Sequence, residues 1–270
     1  MNNIDNIINQ EMSNKLETYD LINPIILKSI AEYYYKIQNY KEMKKYYLMA
    51  IDKGCTESMN NLANYYKFEE KNYEQMEKYY LMGISKDCSC CMYNLGYYYQ
   101  QKQNYEEMKK YYLMAIKKNN INAIYNLGHY YQSKEKNYEE MKKYYLMGID
   151  NNCIESLNNL GYYYQFEEID YNQMKKYYMM AVDKNCPKSM YNLGCYYQTE
   201  EKNYSLMKKF YLMAIDNYYI NAMYNLGFYY QFEEKNYKEM IKYYIMAIKQ
   251  NNEKICLLII NNLKKIEQIF

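Results

Sequence analysis

The residue types with most chemical reach in this chain are a cluster of thiols, a single imidazole and rows of paired lysines. Cys88, Cys90 and Cys91 fall within four positions of one another, which is how many metal sites begin. Structural zinc takes four ligands in two spaced pairs, and no second pair lies in the segment that follows. Cys55, Cys88, Cys153 and Cys186 each stand seven residues before a leucine. Equivalent positions on stacked helices lie about 8–10 Å apart, too far for a disulfide. The cysteines are therefore read as free thiols, and no metal or cofactor is expected. His129 is the only histidine. It occupies a place held elsewhere by Tyr97, Tyr162 or Phe228, which reads as a groove or packing residue rather than a general base. No Ser/His/Asp set and no glycine-rich phosphate loop can be assembled, so no catalysis is expected.

The lysine rows Lys44-Lys45, Lys109-Lys110, Lys142-Lys143, Lys175-Lys176 and Lys208-Lys209 are the one pattern that would track phosphates. Glutamates such as Glu106-Glu107 and Glu139-Glu140 precede them by three to four residues, the spacing of ion pairs on a solvated helix face. RNA binding is therefore the alternative and not the first reading. The net charge of +2 gives no general attraction for nucleic acid. The chain has 44 Tyr but no Trp and two Pro among its 270 residues. Tyr, Asn, Lys and Ile share A/T-rich codons, so part of this excess is genomic. The first ten residues carry no basic stretch followed by an apolar core. The apolar run Ile255–Ile260 is far below the roughly 20 residues of a membrane span. A soluble, cytoplasmic protein with no membrane segment is expected; its oligomeric state is not indicated.

What positions these residues is a repeat. Asn-Leu-Gly, or Asn-Leu-Ala, recurs around Leu62, Leu95, Leu127, Leu160, Leu193 and Leu226, at spacings of 33, 32, 33, 33 and 33. Tyr-x-x-Met recurs seven times, from Tyr40 to Tyr237. A period in this range marks a stacked helical array. In each copy a first helix, A, carries a stripe such as Met223, Leu226, Gly227 and Tyr230. A second helix, B, carries Tyr237, Met240, Tyr244, Ala247 and Ile248. Asn or Asp precedes every helix B, from Asn39 to Asn236, with Glu or Gln three residues on in six of seven copies. That predicts a capping box. Gly or Ala follows the central apolar residue of helix A (Gly96, Gly128, Gly161, Gly194, Gly227), which predicts close approach of a neighbouring helix.

The expected fold is all-α: a right-handed superhelix of about seven stacked helix-turn-helix repeats with terminal caps. Residues 1–23 form an N-terminal cap or a disordered segment, 24–252 the array, and 253–270 a C-terminal capping helix with one wet face.

Leu226-Gly227, Tyr230, Asn236-Tyr237, Tyr244 and Ala247 resemble the tetratricopeptide repeat. The short step from Ala115 to Ala123 and the lead-in Ala222-Met223-Tyr224-Asn225 resemble the Sel-like class. The resemblance covers about residues 24–250, of the diverged, A/T-rich kind found in giant DNA viruses of amoebae. It departs at the turn between the helices, where Glu, Lys and Gln replace a Gly-rich loop, and early in helix B, where Met replaces Ala. It implies a protein–protein interaction scaffold with helix A lining a concave groove for a peptide or helix of a partner. The groove residues are then Tyr93, Tyr97, Tyr125, His129, Tyr162, Tyr191, Tyr224 and Phe228, with a ladder of Gln100, Gln132, Gln165, Gln198 and Gln231. The basic clamp for a chaperone tail is absent, since Tyr224 and its equivalents stand there.

Overall fold

The computed structural model describes residues 23–267, with side chains to residue 263. The proposed N-terminal cap lies outside the described residues. Seven A/B pairs follow one another: Pro24–Lys36 with Tyr40–Asp52, Thr56–Phe68 with Tyr73–Ile84, and Ser89–Gln101 with Tyr105–Ile116. Then come Ile121–Tyr130, extended by a π-helical turn Tyr131–Glu135, with Tyr138–Asp150; Ile154–Phe166 with Tyr171–Val182; Pro187–Thr199 with Tyr204–Asp216; and Ile220–Phe232 with Tyr237–Ile248. These are repeats 1 to 7. A last helix spans Glu253–Glu267. No strand occurs among the described residues. The chain divides into two compact units, one ending at Leu127 and the other beginning at Gly128. Each is a stretch of all-α repeat superhelix.

Every helix B begins on its Asn or Asp. Asn39 Oδ1 accepts from the Glu42 N–H at 3.3 Å, and Asn236 does the same for Glu239 at 3.2 Å. The reciprocal half of the capping box is not made. The N-cap N–H instead donates to a tyrosine carbonyl of the preceding helix A, as Asn72 does to Tyr66 (2.9 Å) and Asn236 to Tyr230 (2.9 Å). The freed glutamates pair with lysine one turn on, Glu107 with Lys110 and Glu140 with Lys143, both at 2.8 Å.

The core is built from rings. In each repeat the tyrosine seven residues into the helix A stripe lies parallel to a ring of helix B: Tyr66 on Tyr79, Tyr131 on Tyr144 and Tyr230 on Tyr243, with centroids 5.6–5.7 Å apart. This corrects the predicted stripe of helix B. Tyr243 is buried, whereas Tyr237 and Ile248 are both 41% exposed. The second helix B tyrosine, Tyr80, Tyr112, Tyr145, Tyr178 or Tyr211, is wholly buried. From repeat 3 on, its ring lies on the glycine of helix A: a Cβ on Gly96 would sit 2.7 Å from Tyr112, and one on Gly161 would overlap Tyr178. The glycines thus have the steric reason the sequence suggested, the neighbour being an aromatic ring.

Candidate partner-binding face

A buried tyrosine needs a partner for its hydroxyl, and in repeats 3 to 6 the second tyrosine of helix B has both a glutamine and an asparagine. Tyr112 donates to Gln100 Oε1 of its own repeat (2.6 Å) and accepts from Asn126 Nδ2 of the next (3.2 Å). Tyr145 joins Gln132 to Asn159 (2.8 and 3.0 Å), and Tyr178 joins Gln165 to Asn192 (2.9 and 3.2 Å). Tyr211 joins Gln198 to Asn225 (2.7 and 3.3 Å). Burial and the low dielectric around the ring raise the Tyr112 and Tyr178 hydroxyls above the ordinary tyrosine range. The glutamine ladder therefore serves this relay first. Gln231 leaves the surface altogether: it is 3% exposed, accepts from Tyr244 (2.6 Å) and donates to the Asn262 carbonyl of the last helix (3.0 Å). It cannot face a partner in this arrangement. The other four are half-buried.

The predicted aromatics fall into two columns. Tyr93, Tyr125, Tyr191 and Tyr224 are half-buried. Tyr93 stacks on Tyr112 (5.8 Å) and Tyr224 on Tyr244 (6.1 Å), and their hydroxyls accept from Asn126 (3.3 Å) and Asn262 (3.0 Å). Tyr191 packs on Tyr219 at 5.2 Å and accepts from Asn225. This column covers the buried tyrosines and is mainly structural. The second column is outward. Tyr97 and Phe228 are 37% exposed, Tyr162 is 45% exposed, and His129 is exposed at the same place. Phe68, Phe166 and Phe232 extend it, with Tyr162 on Phe166 at 4.6 Å and Phe228 on Phe232 at 4.5 Å.

In the second unit the outward column opens a cavity of about 440 Å³ lined by residues that include His129, Gln132, Lys136, Asn159, Tyr162, Lys188 and Asn192. It lies beside the π-helical turn, a feature frequent at functional sites. Partial desolvation by the cavity walls, with the charges of Lys188 and Lys134, lowers the His129 pKa below its ordinary value. The ring is neutral at pH 7. Glu167, the cavity's carboxylate, already accepts from Tyr138 at 2.9 Å.

In four of the five lysine rows the first lysine is held by a glutamate of the next repeat. Lys44 bonds Glu70 (2.8 Å) and Lys142 bonds Glu168 (2.8 Å), each glutamate lying in the A–B turn of the next repeat. Lys175 and Lys208 pair likewise with Glu201 and Glu234. Each of these ammonium groups also rests over a ring: Lys44 over Tyr65 at 5.6 Å and Lys208 over Tyr230 at 5.2 Å. The sequence showed only the pairs within one helix, because the cross-repeat partners lie 26 residues on.

Residues 91–117 and 121–150 match the family model of the tetratricopeptide repeat. A Sel1 repeat protein from Oxalobacter formigenes is similar over 83% of this chain and 99% of its own, at 20% identity and a TM-score of 0.63. A protective antigen of uropathogenic Escherichia coli strains, which displays an SLR fold, is similar over 86% of this chain at 17% identity and a TM-score of 0.64. This chain spans 55% of that antigen's length. No curated protein sequence matches. The fold is thus that of the Sel-like helical-repeat solenoids, with two segments that match the tetratricopeptide repeat.

Proposed function

We propose that this protein is a non-catalytic scaffold that binds a peptide or helix of a protein partner, and that the face around Tyr162 and His129 in the second unit is the centre of that contact. The observation that carries the reading is the outward aromatic column. In a chain that packs most of its tyrosines, helix A keeps Tyr162 at 45% and Phe228 at 37% exposure, side by side with Phe166 and Phe232. Exposed rings of this kind are the usual anchors of protein contacts. Amides of Gln132, Asn159 and Asn192 in the same cavity supply donors and acceptors for a backbone. Lys136 and Lys188 face one carboxylate there, Glu167, so the complementary segment carries an acidic group beside an apolar one. Nucleic acid is the lesser reading, because Lys44, Lys142, Lys175 and Lys208 of the rows that would track phosphates are held by glutamates. His129 then supplies contact and not acid–base chemistry.

Selection of a displayed random-peptide library on the full chain tests this. Peptides pairing an acidic with an aromatic or aliphatic residue are expected. Tyr162→Ala and Lys188→Gln should each weaken them about tenfold, equal to about 1.4 kcal/mol, without lowering the melting temperature. Lys176→Gln should have no effect. Failure to select peptides, together with steeply salt-dependent binding of RNA homopolymers, gives the nucleic-acid reading instead.

A further inference from the structure

The N-terminus of helix A in repeat 3 differs chemically from its counterparts. Cys55, Cys88, Cys153 and Cys186 are all N-cap residues with extended backbone. Three positions on, repeats 2, 5 and 6 carry Ser58, Ser156 and Ser189, but repeat 3 carries Cys91. The N-cap and the third helical residue are within reach of each other: Ser58 Oγ donates to Cys55 Sγ at 3.2 Å. In repeat 3 a second sulfur takes the place of that oxygen. Cys88 Sγ accepts from the Cys91 N–H at 3.4 Å, and the Cys91 thiol hydrogen-bonds it as well. Cys91 is fully buried, and Gly83 of the preceding helix B leaves it room, since a Cβ there would overlap the Cys91 sulfur. Cys88 is half-buried and Cys90, between them in sequence, is exposed.

We propose that Cys88 and Cys91 form a reactive dithiol that undergoes thiol–disulfide exchange with small-molecule disulfides, closing reversibly to a Cys88–Cys91 disulfide. The other N-cap cysteines, with a hydroxyl neighbour, have no resolving thiol.

The exchange balances with glutathione disulfide as oxidant. The Cys88 thiolate attacks one of its sulfurs, the glutathione S–S bond breaks, and one glutathione thiolate leaves and takes a proton from water. Cys91 then gives its proton to solvent and attacks the Cys88 sulfur, expelling the second glutathione thiolate. Two electrons pass from the protein dithiol to glutathione disulfide, giving two glutathione thiols. The hydrogen bond from Cys91, reinforced by the backbone N–H groups of Cys91 and Cys90, outweighs burial and brings Cys88 down to about 6, so it is largely thiolate at pH 7. Cys91 is held protonated by its bond to Cys88 and by burial. Capping Cys88 with glutathione removes the first of these causes, so the second step follows the first.

The test is incubation of the reduced full chain with glutathione disulfide at pH 7, followed by alkylation of remaining thiols and peptide mass spectrometry. The expected product is an internal Cys88–Cys91 disulfide, with Cys55, Cys153 and Cys186 alkylated. Cys91→Ser, which copies the serine of repeats 2, 5 and 6, should accumulate a Cys88–glutathione mixed disulfide, and Cys88→Ser should yield neither product. Rapid alkylation of Cys88 in wild type should follow a titration with midpoint near 6. The proposal is overturned if Cys88 reacts no faster than Cys55, if wild type stops at the mixed disulfide, or if the bond forms to Cys90.

Discussion

Ile169 and Tyr218 hold φ values of 54° and 58° in the turns that end their helices. Twelve further turn positions also have positive φ, and all twelve carry Asn, Lys, Gln, Asp or Gly, residues that bear the left-handed conformation with less strain than a β-branched or aromatic side chain. Ile169→Asn and Tyr218→Asn should each raise stability by about 1 kcal/mol, read from chemical denaturation midpoints. The glycine under a buried ring behaves in the opposite sense. Gly161→Leu should lower stability by about 1–3 kcal/mol or more, because the new side chain meets the face of Tyr178. A melting temperature unchanged by that substitution would remove the packing argument. At the hydroxyl itself, Tyr178→Phe strips one partner each from Gln165 and Asn192 and should cost about 1–3 kcal/mol. The helical content should not change.

A helix pair here is closed by three separate devices: an N-cap, a parallel ring stack and a glycine–tyrosine contact. Asn203→Ala removes the first and should cost about 1 kcal/mol, since Asn203 Oδ1 accepts from the Leu206 N–H at 3.1 Å. The N-caps, the stripe of helix A and the glycine contact were legible in the sequence, because each depends on spacing within about one helix. The pairing of tyrosine hydroxyls was not. Gln100 and Asn126 lie 12 residues before and 14 after Tyr112, on different helices, and nothing in the local pattern ties them together. The absence of the relay at the start of the array has a visible correlate all the same. Repeats 1 and 2 carry Ala31 and Ala63 in place of glycine, with Tyr35 and Lys67 in place of glutamine. There Tyr80 donates to Asn64 instead (2.5 Å), and Tyr47 bonds Asn61. Glycine and glutamine go together, since the close ring is the one whose hydroxyl meets the amide. The binding face was half legible. Spacing identified both aromatic columns but not which of them turns inward, and Gln231 is withdrawn by the last helix, whose register the repeat does not set.

With 44 tyrosines, the whole molecule has an unusual response to base. Burial raises the Tyr47 and Tyr244 hydroxyls to about 12, and raises many more. A raised folded pKa means that the native state keeps its proton after the unfolded chain has begun to lose it near 10. That stability is complete below pH 10 and is lost as pH climbs through the folded values. Tyrosinate absorbance should therefore lag at first and then rise together with loss of the helical dichroism between about pH 10 and 12. The acid side has the reverse sign. Lysine partners hold Glu70, Glu168, Glu201 and Glu234 below the usual glutamate range, so their small, solvent-screened contribution is present above about pH 4.5 and fades below it. The Tyr–Gln–Asn relay has a further consequence for how such a chain can change in length. Each tyrosine asks the next copy only for an asparagine at a fixed place, and every copy that follows supplies one. Excising residues 154–186 would join Cys153 to Pro187, a dipeptide already present as Cys186-Pro187, set Asn192 where Asn159 meets Tyr145, and put Ser189 where Ser156 meets Gly148. The shortened protein should fold and melt cooperatively, with its helical signal lower by one pair. Recombination between near-identical gene segments, adding or dropping copies, would then yield viable lengths in a single event, and the number of copies is free to drift while the contact between any two adjoining ones stays the same.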